Sequence, residues 1–249
     1  MSEVVTGDGN KNVILIMGAP NTGKSTALRF LKNQPKMIYL NTDLKEISFN
    51  DEFMMKVDVK DATNILNYMD DVETQPTVEG VVLDTLTFAM SMFERQYVAP
   101  HAGTKKGQSA WGDYSNFYGN LMHKIKAGTK DYIVLAHDKA ELNPDTMEIE
   151  SKVPVKGAVG RTGVEADFTV IVSALKMSVK KLQDPKFQNP MLTITEDEEE
   201  DGVKYVFQTR PYKGTGNTCR GKWGMWDRNY LYIDADANAL LQHVKAYNA

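Results

Sequence analysis

The sequence has little of what marks secreted, membrane-spanning or disulfide-stabilised proteins. Its 249 residues include one cysteine, Cys219, which excludes an intrachain disulfide and a cysteine-rich metal site. No apolar run approaches the ~20 residues that span a bilayer. Residues 1–8 show no basic region followed by an apolar core, so no signal peptide is evident. These absences predict a cytoplasmic protein that has no membrane partner.

An excess of positive charge is also missing, because the net charge is −4. The charges are unevenly distributed, however. Residues 196–201 are six consecutive acids, which repel one another and predict a solvated loop. Residues 210–230 are basic and interleaved with aromatic residues, which suits phosphates and stacked bases of a single strand. The alternative is a solvated basic loop whose tryptophans lie in the core.

The strongest motif present is a phosphate-binding loop (P-loop), which reads Gly18-Ala19-Pro20-Asn21-Thr22-Gly23-Lys24-Ser25. An apolar run at 13–17 precedes it, and residues 26–32 continue with helical spacing. Main-chain N–H groups at such a strand-to-helix turn favour a polyphosphate. The predicted nucleotide contacts are Gly18, Ala19, Pro20, Asn21, Thr22, Gly23, Lys24, Ser25 and Thr26. Lys24 is expected to reach the β- and γ-phosphates, and Ser25 to ligate Mg²⁺.

Strand and helix patterns alternate along the chain. The predicted strands are residues 13–17, 36–40, 79–84, 131–136 and 168–172, and the predicted helices are residues 26–32, 61–72, 85–97 and 111–126. Continuous apolar strands joined by helices predict an α/β fold with a mostly parallel sheet covered on both faces.

The carboxy-terminal part changes character. Residues 191–195 and 203–209 are predicted to form an antiparallel hairpin around the acidic run, followed by a strand at 230–233 and a closing helix at 237–247. The whole chain, 1–249, is predicted to be one domain, with a core at about 12–175 and a β-rich extension at about 176–249. Residues 99–112 and 139–163 lack periodicity and are predicted to be functional or mobile loops.

Polar residues at or just after the ends of predicted strands are candidates for the chemistry. Asp84 is the candidate acid that holds Mg²⁺ through water (Walker B), although it could instead cap the next helix. Asp43 is the first candidate for the base that activates water and Glu46 the second; a turn aspartate is the alternative. His137 is a candidate γ-phosphate sensor, or a strand-end histidine satisfied by local hydrogen bonds.

Other nucleotide-binding classes fit less well. No N-K-x-D guanine motif is present, which argues against a GTPase. Residues 93–97 faintly resemble part of a nucleoside-monophosphate kinase, so a small-molecule kinase stays open as an alternative. A nucleotide-gated DNA-loading or packaging adaptor is a further alternative.

Taken in order, several segments resemble the phage RecA-like ATPases of the single-strand annealing recombination type, an AAA-type family of P-loop proteins. The resemblance spans about residues 12–230. Its matching segments are the P-loop, residues 40–43, residues 81–87, Trp111-Gly112-Asp113-Tyr114, residues 133–139, Gly157, Asp167 and residues 209–220.

The resemblance implies a RecA-like core that hydrolyses Mg-ATP at a subunit interface and binds single-stranded DNA during recombination. It also implies a homo-oligomer, ring or filament, in the host cytoplasm, with a single-stranded-DNA-binding protein as a further candidate partner. Asp43 stands where the family commonly has a catalytic Glu and is one methylene shorter, which predicts slow turnover. The candidate trans-acting pair is Lys213 and Arg220. The candidate DNA contacts are Lys105, Lys106, Lys156 and Arg161.

Overall fold

A computed structural model of the chain describes residues 9–143 and 147–249. Residues 1–8, on which the prediction of no signal peptide rests, lie outside the described residues. None of the helices within the described ranges combines the length and apolar character needed to cross a membrane.

The described residues form a mostly parallel sheet of eight strands and a separate two-stranded hairpin. The strands are β1 Val13–Gly18, β2 Met37–Asn41, β3 Met55–Asp58, β4 Gly80–Asp84, β5 Asp131–His137, β6 Lys139–Leu142, β7 Ile149–Lys152, β8 Val170–Ser178, β9 Val203–Gln208 and β10 Tyr232–Asp234. The order in the large sheet is β10-β9-β8-β1-β5-β4-β2-β3, and β6 pairs with β7. In the large sheet, β8, β1, β5, β4, β2 and β3 pair with one another in parallel. Strand β9 pairs antiparallel with both β8 and β10.

Helices cover both faces of the sheet. The α-helices are α1 Asn64–Thr74, α2 Leu86–Phe93, α3 Gly107–Ala127, α4 Gly157–Thr162, α5 Val179–Leu182, α6 Glu196–Asp201 and α7 Ala237–Asn248. Helices α1, α2 and α3 pack their apolar sides on one face. Helix α7 and the 3₁₀ helix Thr26–Phe30 pack on the other. The predicted α/β fold of a P-loop core with antiparallel carboxy-terminal strands is therefore confirmed.

The acidic run 196–201 is not the predicted loop, because it forms helix α6. Thr195 accepts a hydrogen bond from the Glu198 N–H and donates its own N–H to the Glu198 carboxylate, which is a capping box. Acidic residues also interact favourably with the positive end of a helix dipole. Gly202 then ends the helix in the left-handed conformation, at φ +70°. Capping and dipole thus outweigh repulsion among the carboxylates.

Other predicted elements differ in extent. Residues 191–195 contain no strand, so the predicted hairpin between 191–195 and 203–209 is wrong. Strand β9 pairs with β8 and β10 instead. The helix after the P-loop is a single 3₁₀ segment, and a second 3₁₀ turn at Gln34–Lys36 follows, with Pro35 at its start. Neither aperiodic segment is structureless: α3 begins at Gly107, and residues 139–163 contain β6, β7 and α4.

The sheet has two edges of different length. The β10 edge is three residues long. The β3 edge is four residues long and alternates Met55 and Val57 with the charged residues Lys56 and Asp58. Lys56 forms an ion pair with Asp51 at 2.8 Å.

Candidate active site

The P-loop connects β1 to the 3₁₀ helix at the carboxyl edge of the parallel strands, where ligands bind in α/β folds. Gly18, the last residue of β1, pairs with His137 at the end of β5. A Cβ at Gly18 would lie 2.6 Å from the carbonyl oxygen of Ala174 on β8, so a side chain does not fit there. Gly23 has a φ of +84°, which glycine adopts without strain.

Lys24 lies under the loop and is buried. Its ammonium donates hydrogen bonds to the carbonyl oxygens of Gly18 at 2.7 Å and Ala19 at 2.8 Å. Burial lowers the Lys24 pKa to about 8, although Asp138 and Asp84 oppose that shift. The group that would meet the phosphates is therefore a poorly solvated cation held against the loop.

Asp84 reaches the P-loop from β4. Its Oδ2 atom accepts hydrogen bonds from the Ser25 hydroxyl at 2.7 Å and from the Tyr39 hydroxyl at 2.8 Å. Asp84 is 4% exposed, and burial raises the pKa of its carboxyl group, with the two hydroxyls opposing that shift. The structure therefore brings together the two residues predicted to hold Mg²⁺.

Tyr39 on β2 is a site residue that the sequence reasoning missed. Burial, followed by the neighbouring Asp84 charge, raises its pKa, so the phenol keeps its proton and donates to Asp84. The available signal was a phenol within the otherwise apolar run 37–40, since a buried tyrosine needs a partner for its hydroxyl.

Asp43, Glu46 and His137 line the same cavity of about 340 Å³ as the P-loop and Asp84. Asp43 also acts as a turn aspartate, the alternative role given above, because its Oδ1 accepts the backbone N–H of Lys45 at 3.0 Å. Its side chain is 18% exposed and its Oδ2 lies 3.7 Å from the Lys45 ammonium. Glu46 is exposed at the rim.

His137 is half-buried at the end of β5. Its backbone N–H donates to the Thr87 hydroxyl at 2.9 Å, and its ring packs edge-on against Phe88. Burial, then the Lys24 charge, lowers the His137 pKa, so the ring is neutral at pH 7. Its Nδ1 is buried without a partner among the described residues. A neutral ring with a spare nitrogen beside Lys24 fits the predicted sensor position.

The candidate trans-acting residues lie in the segment after β9. Lys213 is exposed and lines a cavity of about 720 Å³ that is distinct from the P-loop cavity. The Arg220 guanidinium donates to the carbonyl oxygens of Glu165 at 3.0 Å and Phe168 at 3.2 Å. Arg220 therefore makes contacts within its own chain.

The candidate DNA contacts lie on or just before two adjoining helices, α3 and α4. Lys105 and Lys106 are exposed just before α3, and Arg161 is exposed on α4. Lys156, which precedes α4, is exposed and forms an ion pair with Glu94 at 2.8 Å. The two helices pack together, since a Cβ at Gly157 would lie 3.3 Å from the Trp111 ring.

The oxygens of Ser25 and Asp84 fit Mg²⁺ bound together with a triphosphate. Mg²⁺ takes one or two protein oxygens together with phosphate oxygens and water, and the adjacent Ser25 and Asp84 oxygens match that donor set. Within the described residues, no group of three or more His, Cys, Asp or Glu side chains could hold a metal by itself. The residues present therefore fit a cation that arrives with a nucleotide.

Comparison with known families agrees with this geometry. A family model described as an AAA domain matches residues 10–215. The chain belongs to this AAA domain family. The match covers β1 to β9 and includes the P-loop, Asp84 and His137. Family membership indicates a nucleotide-binding domain of the ATPase type. No curated protein matches the chain.

Proposed function

We propose that this AAA-family chain binds and hydrolyses Mg-ATP, binds single-stranded DNA and promotes its annealing during phage recombination. The observation that carries the ATPase part is the 2.7 Å contact between Ser25 and Asp84 beside the buried Lys24. The DNA and recombination parts rest on the resemblance described above and on the exposed basic residues near α3 and α4.

Each residue has a task in this proposal. The Lys24 ammonium moves from the two loop carbonyls to the β- and γ-phosphates, exchanging neutral acceptors for anionic ones, which make stronger hydrogen bonds. Ser25 and Asp84 hold Mg²⁺, which when bound neutralises phosphate charge. Asp43 accepts the proton of the attacking water, and His137 senses the γ-phosphate.

Replacing Asp43 tests the assignment of the base. An Asp43→Asn variant is expected to bind ATP within about threefold of wild type and to lose turnover by roughly 10²-fold. That loss is the lower end of the 10²–10⁴-fold range that one general acid or base typically contributes. Phosphate release and calorimetric titration of ATP measure the two quantities.

Glu46→Gln is the matched variant, since Glu46 borders the same cavity. It should keep most of the turnover. If Glu46→Gln loses turnover and Asp43→Asn keeps it, the base is Glu46, and Asp43 serves only to form its turn.

Charge reversal near α3 tests the DNA assignment. A Lys105→Glu/Lys106→Glu variant is expected to weaken single-strand binding. It should also reduce the salt dependence of the logarithm of affinity by roughly 1.4, since each phosphate contact on a single strand contributes about 0.7. Fluorescence anisotropy of a labelled oligonucleotide across a salt series measures both.

The control is Lys180→Glu/Lys181→Glu, which reverses a second exposed lysine pair, on α5. It changes the net charge equally. An equal loss in both variants would mean that overall charge, and not the surface near α3, governs DNA binding.

The assembly part of the proposal is a homo-oligomer in which Lys213 or Arg220 reaches the nucleotide of a neighbouring subunit. The experiment that tests the whole proposal is the ATPase rate with and without single-stranded DNA, together with the mass in solution with ATP. Stimulation by DNA and an ATP-dependent increase in mass are expected. A monomer whose ATPase rate is unchanged by DNA would leave only the binding and hydrolysis of ATP.

A further inference from the structure

A second cavity of about 840 Å³ opens beside the P-loop, on the side away from Asp84. It shares Asn21, Gly23 and Thr26 with the cavity that contains the candidate catalytic residues. In the sheet, β9 and β10 lie on one side of β1, whereas β4 and β2 lie on the other. The P-loop therefore separates a catalytic side from a side bordered by β9 and β10.

This arrangement sets the direction of a bound nucleotide. The terminal phosphate must face Asp84 and Asp43, because those carboxylates serve the cation and the water. The other end of a triphosphate held by the loop then points away from Asp84, toward the side of β9 and β10. Thr26 lines both cavities, so a nucleoside on that end would enter the second cavity.

Two aromatic rings line this cavity and are partly open to solvent. Tyr205 on β9 is 43% exposed, and Phe30 at the end of the 3₁₀ helix is 40% exposed. The Tyr205 ring lies directly against the loop, since a Cβ at Gly23 would be 3.0 Å from its Cδ1. The Arg29 guanidinium lies 4.5 Å from the Phe30 ring centroid. Such rings are platforms on which nucleobases stack.

The charges around the cavity favour a neutral group. Asp197, Glu198, Asp234 and Asp236 all border it. Lys204 is buried and already paired with Glu198 at 2.7 Å and Asp234 at 3.1 Å. Arg29 is the other basic residue of the lining, so a phosphate placed here would meet four carboxylates against two cations, whereas an uncharged base would not be repelled.

We propose that this cavity receives the nucleobase of the bound nucleoside triphosphate, with Tyr205 as the stacking platform and Phe30 as a second apolar contact. The inference rests on the proposed nucleotide-binding function and assigns the base-binding part of that site. It also places the acidic helix α6 at the wall of the base cavity, through Asp197 and Glu198.

The test separates the base from the phosphates. Mg-ATP and Mg-tripolyphosphate, which lacks a nucleoside, are titrated calorimetrically into wild type, Tyr205→Ala, Tyr205→Phe and Tyr247→Ala. Tyr247 on α7 is the matched control because it is 41% exposed and does not border this cavity. Thermal denaturation confirms that each variant folds.

Tyr205→Ala is expected to weaken ATP binding about tenfold, within the range for loss of one base–aromatic stack. Its tripolyphosphate affinity should be unchanged, while Tyr205→Phe and Tyr247→Ala stay within about twofold of wild type for both ligands. Equal weakening of ATP and tripolyphosphate by Tyr205→Ala would mean that the ring only supports the loop at Gly23. Unchanged ATP affinity would also overturn the inference.

Failure of the proposed function gives a different titration result from failure of the base cavity alone, because wild type then binds neither ATP nor tripolyphosphate. If wild type binds both with the same affinity, phosphate binding stands and the base cavity does not.

Discussion

A Lys24→Ala variant is expected to lose ATP turnover by about 10²-fold or more. Lys24 is the cation nearest to the expected phosphates, and removal of one preorganised charge-stabilising group typically costs 10²–10³ in rate. The two loop carbonyls that accept its hydrogen bonds would also lose their donor. Phosphate release under saturating Mg-ATP measures the turnover, and calorimetry measures the affinity.

Lys32→Ala is the control, because it removes an exposed lysine located just beyond the 3₁₀ helix. It should leave turnover and affinity unchanged. Turnover by Lys24→Ala at the wild-type rate would contradict the assignment of the P-loop as the catalytic phosphate site.

An Asp84→Asn variant is expected to be more stable and nearly inactive. Ionised Asp84 is costly to bury, which is why burial raises the pKa of its carboxyl group. The raised pKa means that ionisation at neutral pH disfavours the folded state, so an uncharged amide should raise Tm. The amide oxygen can still accept the Ser25 and Tyr39 hydroxyls. Turnover should fall roughly 10²–10³-fold, because the carboxylate that serves Mg²⁺ is gone.

Asp131→Asn provides the opposite control at the other end of the neighbouring strand. Asp131 is also 4% exposed. Its carboxylate accepts a hydrogen bond from the Asn12 side chain at 3.0 Å and forms an ion pair with Lys245 at 2.9 Å. Its replacement should lower Tm by weakening that pair and leave turnover unchanged. Scanning calorimetry measures the Tm of both variants, and phosphate release measures their turnover. A lower Tm for Asp84→Asn would show that its charge is compensated in the fold.

The sequence predicted the sheet and the P-loop well because both depend on local patterns. Buried parallel strands are continuous apolar runs. The P-loop needs glycine at Gly23 because the backbone has a positive φ there, and at Gly18 because β8 approaches closely. Asp84 could be placed at the carboxyl edge because parallel strands bring their ends together. The helix α3 was equally clear from its apolar spacing.

Contacts between distant strands could not be predicted in the same way. Tyr39 meets Asp84 because β2 lies beside β4, and Tyr205 meets Gly23 because β9 folds back beside β8. The order of strands in a sheet is a tertiary property that no local pattern encodes. The predicted loop at 196–201 is wrong for a different reason: repulsion among the carboxylates favours a loop, but the cap formed by Thr195 and Glu198 stabilises a helix.

The two sheet edges limit how copies of this chain can join. Unpaired strand edges invite another chain to add a strand, and short or charged edges discourage it. The three-residue β10 edge offers little backbone to pair with, and Lys56 and Asp58 interrupt the β3 edge with charge. The homo-oligomer proposed above should therefore form through side-chain surfaces, which separate more readily than a sheet continued from one molecule to the next.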